Sequence, residues 1–147
     1  KGPQIMKGYW NNPEATAETI RNGWLYTGDI AYMDQGGWVY IVDRKKEMIK
    51  FKGFQVAPAE LEGVLLDHYS VADAAVIGKP DPEAGEVPKA FVVLKEKCTS
   101  EELIQFAGSK LANYKRIAEI EFVEQIPKSS SGKILRRILI EQERAKE

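Results

Sequence analysis

Ile41-Val42-Asp43-Arg44-Lys45-Lys46-Glu47-Met48-Ile49-Lys50-Phe51-Lys52-Gly53-Phe54-Gln55-Val56-Ala57-Pro58-Ala59-Glu60-Leu61-Glu62 changes character twice, and the changes decide the fold. It opens on the end of an apolar run and passes into the charged stretch Asp43 to Glu47. Met48-Ile49-Lys50-Phe51 and Phe54-Gln55-Val56 then flank Lys52-Gly53, which reads as a tight hairpin. From Pro58 the period switches: Leu61, Val64 and Leu65 fall at helical spacing behind a proline start, predicting a helix to about Asp67.

Downstream, Ala74-Ala75-Val76-Ile77 and Ala90-Phe91-Val92-Val93-Leu94 read as strands separated by the turn-rich Lys79-Pro80-Asp81-Pro82. Thr99-Ser100-Glu101-Glu102 matches a capping box, so Leu103, Phe106, Ala107 and Leu111 are expected to form a helix's buried stripe. Glu119 to Val123 is another strand, Ser129-Ser130-Ser131-Gly132 a polar flexible loop, and Ile134, Leu135, Ile138 and Leu139 begin a last helix. Upstream, Asn12 caps a short helix that starts at Pro13, runs to about Ile20 and is stopped near Asn22-Gly23. Trp24 to Met33 and Trp38 to Val42 form a hairpin around Asp34-Gln35-Gly36-Gly37.

The chain is therefore expected to be α+β. Residues 44–147 form a small domain with a mixed or antiparallel sheet flanked by helices. Residues 1–43 supply only a helix and a hairpin, poor material for an independent core. That first segment is expected to be less stable than the rest or to associate with another copy, through apolar residues such as Trp24, Leu25 and Trp38.

A net charge of -1 excludes a global positive field for nucleic acid or an anionic membrane. No apolar run approaches the ~20 residues of a membrane-spanning helix. Lys1-Gly2-Pro3-Gln4 has no initiator Met and no apolar signal, so an excised fragment is expected. The lone cysteine, Cys98, rules out an internal disulfide and suits a reducing, cytoplasmic setting. It reads as a strand-end or turn residue rather than a nucleophile, because a catalytic Cys usually needs a His partner. The sole His, His68, suits a helix C-terminus. With so few ligands, neither a metal site nor a Ser-His-Asp arrangement is expected.

Three segments resemble the adenylate-forming superfamily of acyl-CoA and aryl-CoA ligases, luciferases and peptide-synthetase adenylation domains. They are Tyr26-Thr27-Gly28-Asp29, the stretch from Ile41 to Glu62, and Pro127-Lys128-Ser129-Ser130-Ser131-Gly132-Lys133. Their order and spacing match the family across essentially the whole chain, and the middle segment is the specific one. Ile41 to Lys50 is most similar to aryl-, medium- and long-chain acyl-CoA ligases and to luciferases.

The resemblance implies an enzyme that joins ATP and a carboxylic acid as an acyl-adenylate, rotates its small C-terminal domain, and transfers the acyl group to coenzyme A. Lys133 would bridge acyl carboxylate and α-phosphate during adenylation, and Lys50 and Gly53 would face the site during thioester formation. Gly53 would let the pantetheine arm pass close to backbone. Asp29 would bind the ribose hydroxyls, Arg44 would lie near the nucleotide, and Asp43 and Lys46 would mark the hinge. Lys45 reads as solvated linker. ATP, magnesium and coenzyme A would be needed by the full-length enzyme, with none held tightly by this chain.

A P-loop is the rival reading of the Lys133 segment. It fails because Pro127 stands where the first Gly belongs and Ile134 replaces the Ser/Thr that holds magnesium. The chain has no Ser/Thr/Gly-rich phosphate loop with lysine and no acid pocket, so on its own it is expected to be inactive. The alternative function is a stand-alone, non-catalytic binding or assembly module descended from this domain.

Overall fold

The computed structural model describes residues 1–146, and the backbone separates into two compact units, Lys1–Lys45 and a second that begins at Lys46.

In the first unit, α1 spans Pro13–Thr19, and the Asn12 side chain accepts the Ala15 N–H at 3.0 Å. Asn22-Gly23 is not a helix stop. Both residues are left-handed, with φ 51° and 73°, and they turn β1 (Ile20–Arg21) directly into β2 (Trp24–Leu25). Asn-Gly is the pair that a two-residue hairpin turn favours, because it tolerates positive φ at both positions. The run Trp24 to Met33 is likewise not one strand. Residues 26–28 are unpaired, and β3 (Asp29–Met33) begins afresh to pair with β4 (Val39–Arg44). β4 continues through Asp43 and Arg44, past the Val42 at which the sequence reading ended the strand. Its turn is braced by the Asp34 carboxylate, which accepts the Trp38 N–H at 2.9 Å and the Tyr40 hydroxyl at 3.0 Å.

The second unit is a five-stranded sheet in the order β6-β5-β8-β7, with β9 beside β8. β5 (Ile49–Phe51) and β6 (Phe54–Val56) form the expected tight hairpin around Lys52-Gly53, whose φ values are 46° and 84°. α2 (Pro58–Leu66) follows. β7 (Val71–Asp81) and β8 (Gly85–Leu94) are longer than expected, because β7 runs through Lys79-Pro80-Asp81. The strand tolerates Pro80 because β7 is an edge strand, where a missing N–H costs no ladder bond. The turn falls at residues 82–84, where the Asp81 carboxylate accepts the Glu83 and Ala84 N–H groups.

α3 (Ser100–Lys110) carries the complete Thr99/Glu102 capping box. β9 (Glu119–Phe122) runs parallel to β8, while the other pairings are antiparallel. α4 (Arg136–Arg144) ends the fold.

Side-chain alternation splits the interior in two. Ala74 and Val76 of β7 and Ala90 and Val92 of β8 join Leu61, Leu65, Leu103 and Ala107 from α2 and α3. Ala75, Ile77 and Phe91 point the other way and join Leu139 of α4. Helices thus cover both faces of the sheet, which is why these strands read as continuous apolar runs. The α+β class is as expected.

Candidate functional site

The expected site residues divide between the two units. In the first, Asp29 and Arg44 are direct cross-strand partners, and the Arg44 Nε lies 3.1 Å from the Asp29 carboxylate. The Asp29 N–H also donates to the Thr27 hydroxyl at 3.3 Å. Arg44 is 60% exposed, so the pair adds little stability; its value is geometric, holding an acceptor and a fork of donors side by side. Asp43 is buried and accepts the Arg44 N–H at 2.7 Å. Lys45 donates its backbone N–H to the Gly28 carbonyl at 2.8 Å.

In the second unit, Lys46 and Lys50 are exposed. The Lys50 backbone N–H donates to the Glu86 carboxylate at 2.8 Å and the Lys52 N–H to the Ala84 carbonyl at 2.9 Å. The β5–β6 hairpin is therefore tied to the tip of β7–β8. A Cβ built on Gly53 meets nothing within 4 Å, so glycine is required there by the positive φ and the crest of the hairpin is open.

Lys133 stands on a turn that braces itself. Lys128 and Ile134 form an isolated antiparallel bridge, and the Leu135 N–H donates to the Pro127 carbonyl at 2.9 Å. Inside that neck, the Gly132 N–H donates to the Ser129 carbonyl at 2.9 Å, and the Ser129 hydroxyl accepts the Lys133 N–H at 3.1 Å. The segment read as flexible is a hydrogen-bonded loop. Lys50 and Lys133 lie on separate elements, and among the described residues neither ammonium enters an ion pair. Lys79, Lys89, Lys110, Lys115, Lys128 and Lys146 are all paired.

Two charged clusters were not anticipated. Lys89, 2% exposed, reaches Glu143 at 2.8 Å, Glu119 at 2.7 Å and Glu121 at 2.9 Å, and Lys79 and Lys146 complete the network. Burial alone would pull the Lys89 pKa down, but the hydrogen bonds its ammonium donates to Glu119, Glu143 and Glu121 outweigh it and raise it. Burial likewise works against ionised Glu143, yet Lys89 and Lys79 bring its carboxyl down to about 2. The second cluster gathers Glu47 and Glu62 around Arg136. The available signals were an acid on the apolar stripe of the last helix and a lysine entering an apolar strand.

Among the described residues no group of three or more His, Cys, Asp or Glu side chains is placed to hold a metal ion. No described helix is long and apolar enough to cross a membrane.

Residues 60–133 match the AMP-binding enzyme C-terminal domain, and the chain belongs to that family. It is 58% identical over 142 residues to a 4-coumarate--CoA ligase 2 of Oryza sativa subsp. japonica, covering 95% of this chain and 25% of the relative. It is 53% identical over 143 residues to the peroxisomal OPC-8:0-CoA ligase 1 of Arabidopsis thaliana, covering 95% and 26%. Among solved structures, the o-succinylbenzoate CoA synthetase (MenE) of Bacillus subtilis, in complex with the acyl-adenylate intermediate OSB-AMP, superposes with a TM-score of 0.90 at 40% identity. That match covers 95% of this chain and 29% of the other. The chain thus spans about a quarter of the length of the curated relatives it matches.

Proposed function

We propose that this chain is the C-terminal part of an ATP-dependent acid–thiol ligase, acting with a large N-terminal domain on an aryl or fatty acid. The observation that carries the reading is the Lys133 ammonium, unpaired and presented by a loop whose neck and interior are hydrogen bonded. Residues 1–43 are the end of the large domain, and residues 44–147 are the mobile domain. Asp43 and Lys46 are the hinge.

In the first half-reaction the acid's carboxylate oxygen attacks the α-phosphorus of ATP, and pyrophosphate leaves. Lys133 neutralises the charge that builds on the phosphoryl oxygens, from a position fixed before the reaction begins. Asp29 accepts hydrogen bonds from the ribose hydroxyls and Arg44 orients it, as their 3.1 Å contact supports. In the second half-reaction the domain turns and the coenzyme A sulfur attacks the acyl carbon, releasing AMP. Lys50 then faces the site, and the open crest at Gly53 gives the pantetheine arm a path. A cytoplasmic setting accords with the single free thiol, Cys98.

The test separates the half-reactions in the full-length enzyme. Lys133→Ala should lower acid-dependent ATP–pyrophosphate exchange by about 10²–10³-fold and spare transfer from a pre-made acyl-adenylate. Lys50→Ala should do the reverse. Equal damage by both variants to one half-reaction would sink the assignment, and exchange by the 147-residue chain alone would sink the division of labour.

A further inference from the structure

Arg136 is the first residue of α4, three positions after Lys133. Its guanidinium is 15% exposed and spends every edge on a different segment. Nη1 donates to the Glu47 carboxylate. Nη2 donates to both Glu62 oxygens at 2.7 Å, and Nε to the Val76 carbonyl at 3.2 Å. Glu62 in turn accepts the Val76 N–H at 2.8 Å, which fixes the α2 carboxylate against β7. One cation therefore joins α4, α2, β7 and the segment that opens the second unit, across sequence separations of 89, 74 and 60 residues.

Glu47 is three residues before Lys50 and one after Lys46. Three residues of chain reach at most ~11 Å, so each free lysine is leashed closely to the same clamp. The Lys133 loop is closed at its neck by its own hydrogen bonds, which do not attach it to the sheet; the Lys128–Asp73 ion pair ties one side of the neck to β7, and Arg136 ties the other side to β7, α2 and Glu47 together.

We infer that Arg136 is a positioning residue, which fixes the Lys133 loop and the Glu47–Lys50 segment to one rigid body so that a turn of the domain delivers each lysine to a reproducible place. This rests on the ligase reading above. The guanidinium fork, not merely a positive charge, is what the role requires. Three acceptors lie along its separate edges, and an ammonium on a shorter stem cannot meet all three in plane.

The experiment uses the full-length enzyme with Arg136→Lys and, as a milder lesion, Glu47→Gln. Glu47 is 35% exposed, so its loss does not threaten the fold. For both variants kcat of pyrophosphate exchange should fall, by about 10–100-fold for Arg136→Lys. KM for ATP should stay within about twofold, because the residue does not touch nucleotide. Hydrogen exchange gives a second readout: the amides of Ser129, Gly132, Lys133 and Leu135 should exchange at least about tenfold faster, with β8 amides unchanged. A raised KM with kcat retained, or loop amides as protected as in the wild type, would overturn the inference. If the unmodified enzyme shows no exchange with any acid, the ligase reading fails, and the hydrogen-exchange arm alone decides whether Arg136 anchors the loop.

Discussion

Residues 1–45 and the unit that begins at Lys46 are made of the same kinds of parts, capped helices and tight hairpins, yet only the second encloses a core. In the first, every described residue except Asp43 retains exposure, and Trp10, Tyr32, Trp38 and Ile41 stand largely in solvent. Tyr32 and Tyr40 stack across the strands at 4.9 Å, but a pair on an open two-stranded ribbon excludes little water. In the second, buried side chains from four strands and three helices close over both sheet faces. Local hydrogen bonding shapes both units; burial is what makes one of them hold its shape.

Hydrogen exchange on the isolated chain offers the largest contrast. Amides of β7 and β8 should exchange about 10³-fold or more slowly than those of β3 and β4, whose opening has almost no apolar burial to oppose it. Equal protection in a demonstrated monomer would break the comparison.

A smaller but sharper test compares two ion pairs. Lys89→Ala removes the buried one of the three cations around Glu143, leaving it Lys79 and Lys146, and should cost about 2–4 kcal/mol in urea unfolding of the second unit, whereas exposed Arg44→Ala should cost under about 1 kcal/mol. The network also predicts a pH profile. The Glu143 carboxyl is lowered from 4.5 to about 2, so its contribution is complete above pH 4.5 and is lost as pH falls towards 2. Lys89 is raised, so its contribution is present below 10.5 and is lost only at higher pH. Stability should be flat between these limbs, and Glu143→Gln should shrink the acid one.

The smallest effect discriminates the two helix caps. Thr99→Ala removes half of the α3 capping box and should cost the second unit about 1 kcal/mol. Asn12→Ala removes the equivalent bond of α1 and should leave that unfolding transition where it is, because nothing cooperative depends on α1.

The local signals were the legible ones. Lys52-Gly53, Pro58 and Thr99-Ser100-Glu101-Glu102 announce their turn, helix start and cap because each interaction spans a few residues. Asn22-Gly23 was misread because the same pair serves a helix end and a hairpin turn, and only the partner strand decides. Lys79-Pro80-Asp81 was misread because proline is tolerated on an edge strand, and edge position is a property of the whole sheet. The proposed roles of Lys50, Lys133, Asp29 and Arg44 came from motif order. Arg136 and Lys89 could not be found that way, since their partners lie about 30 to 89 residues distant.

That separation has a consequence for how the molecule comes into being. Glu143 follows Lys89 by 54 residues, so a chain growing at roughly 5–20 residues per second leaves the network without its buried carboxylate for roughly 3–11 s, although Glu119 and Glu121 are made sooner. Over the same interval Ala75, Ile77 and Phe91 wait for Leu139. The face carrying α2 and α3 closes first, and the face carrying α4 closes last, so ribosomal stalling before residue 136 would yield a half-finished sheet with a bare apolar side, the species most prone to aggregate.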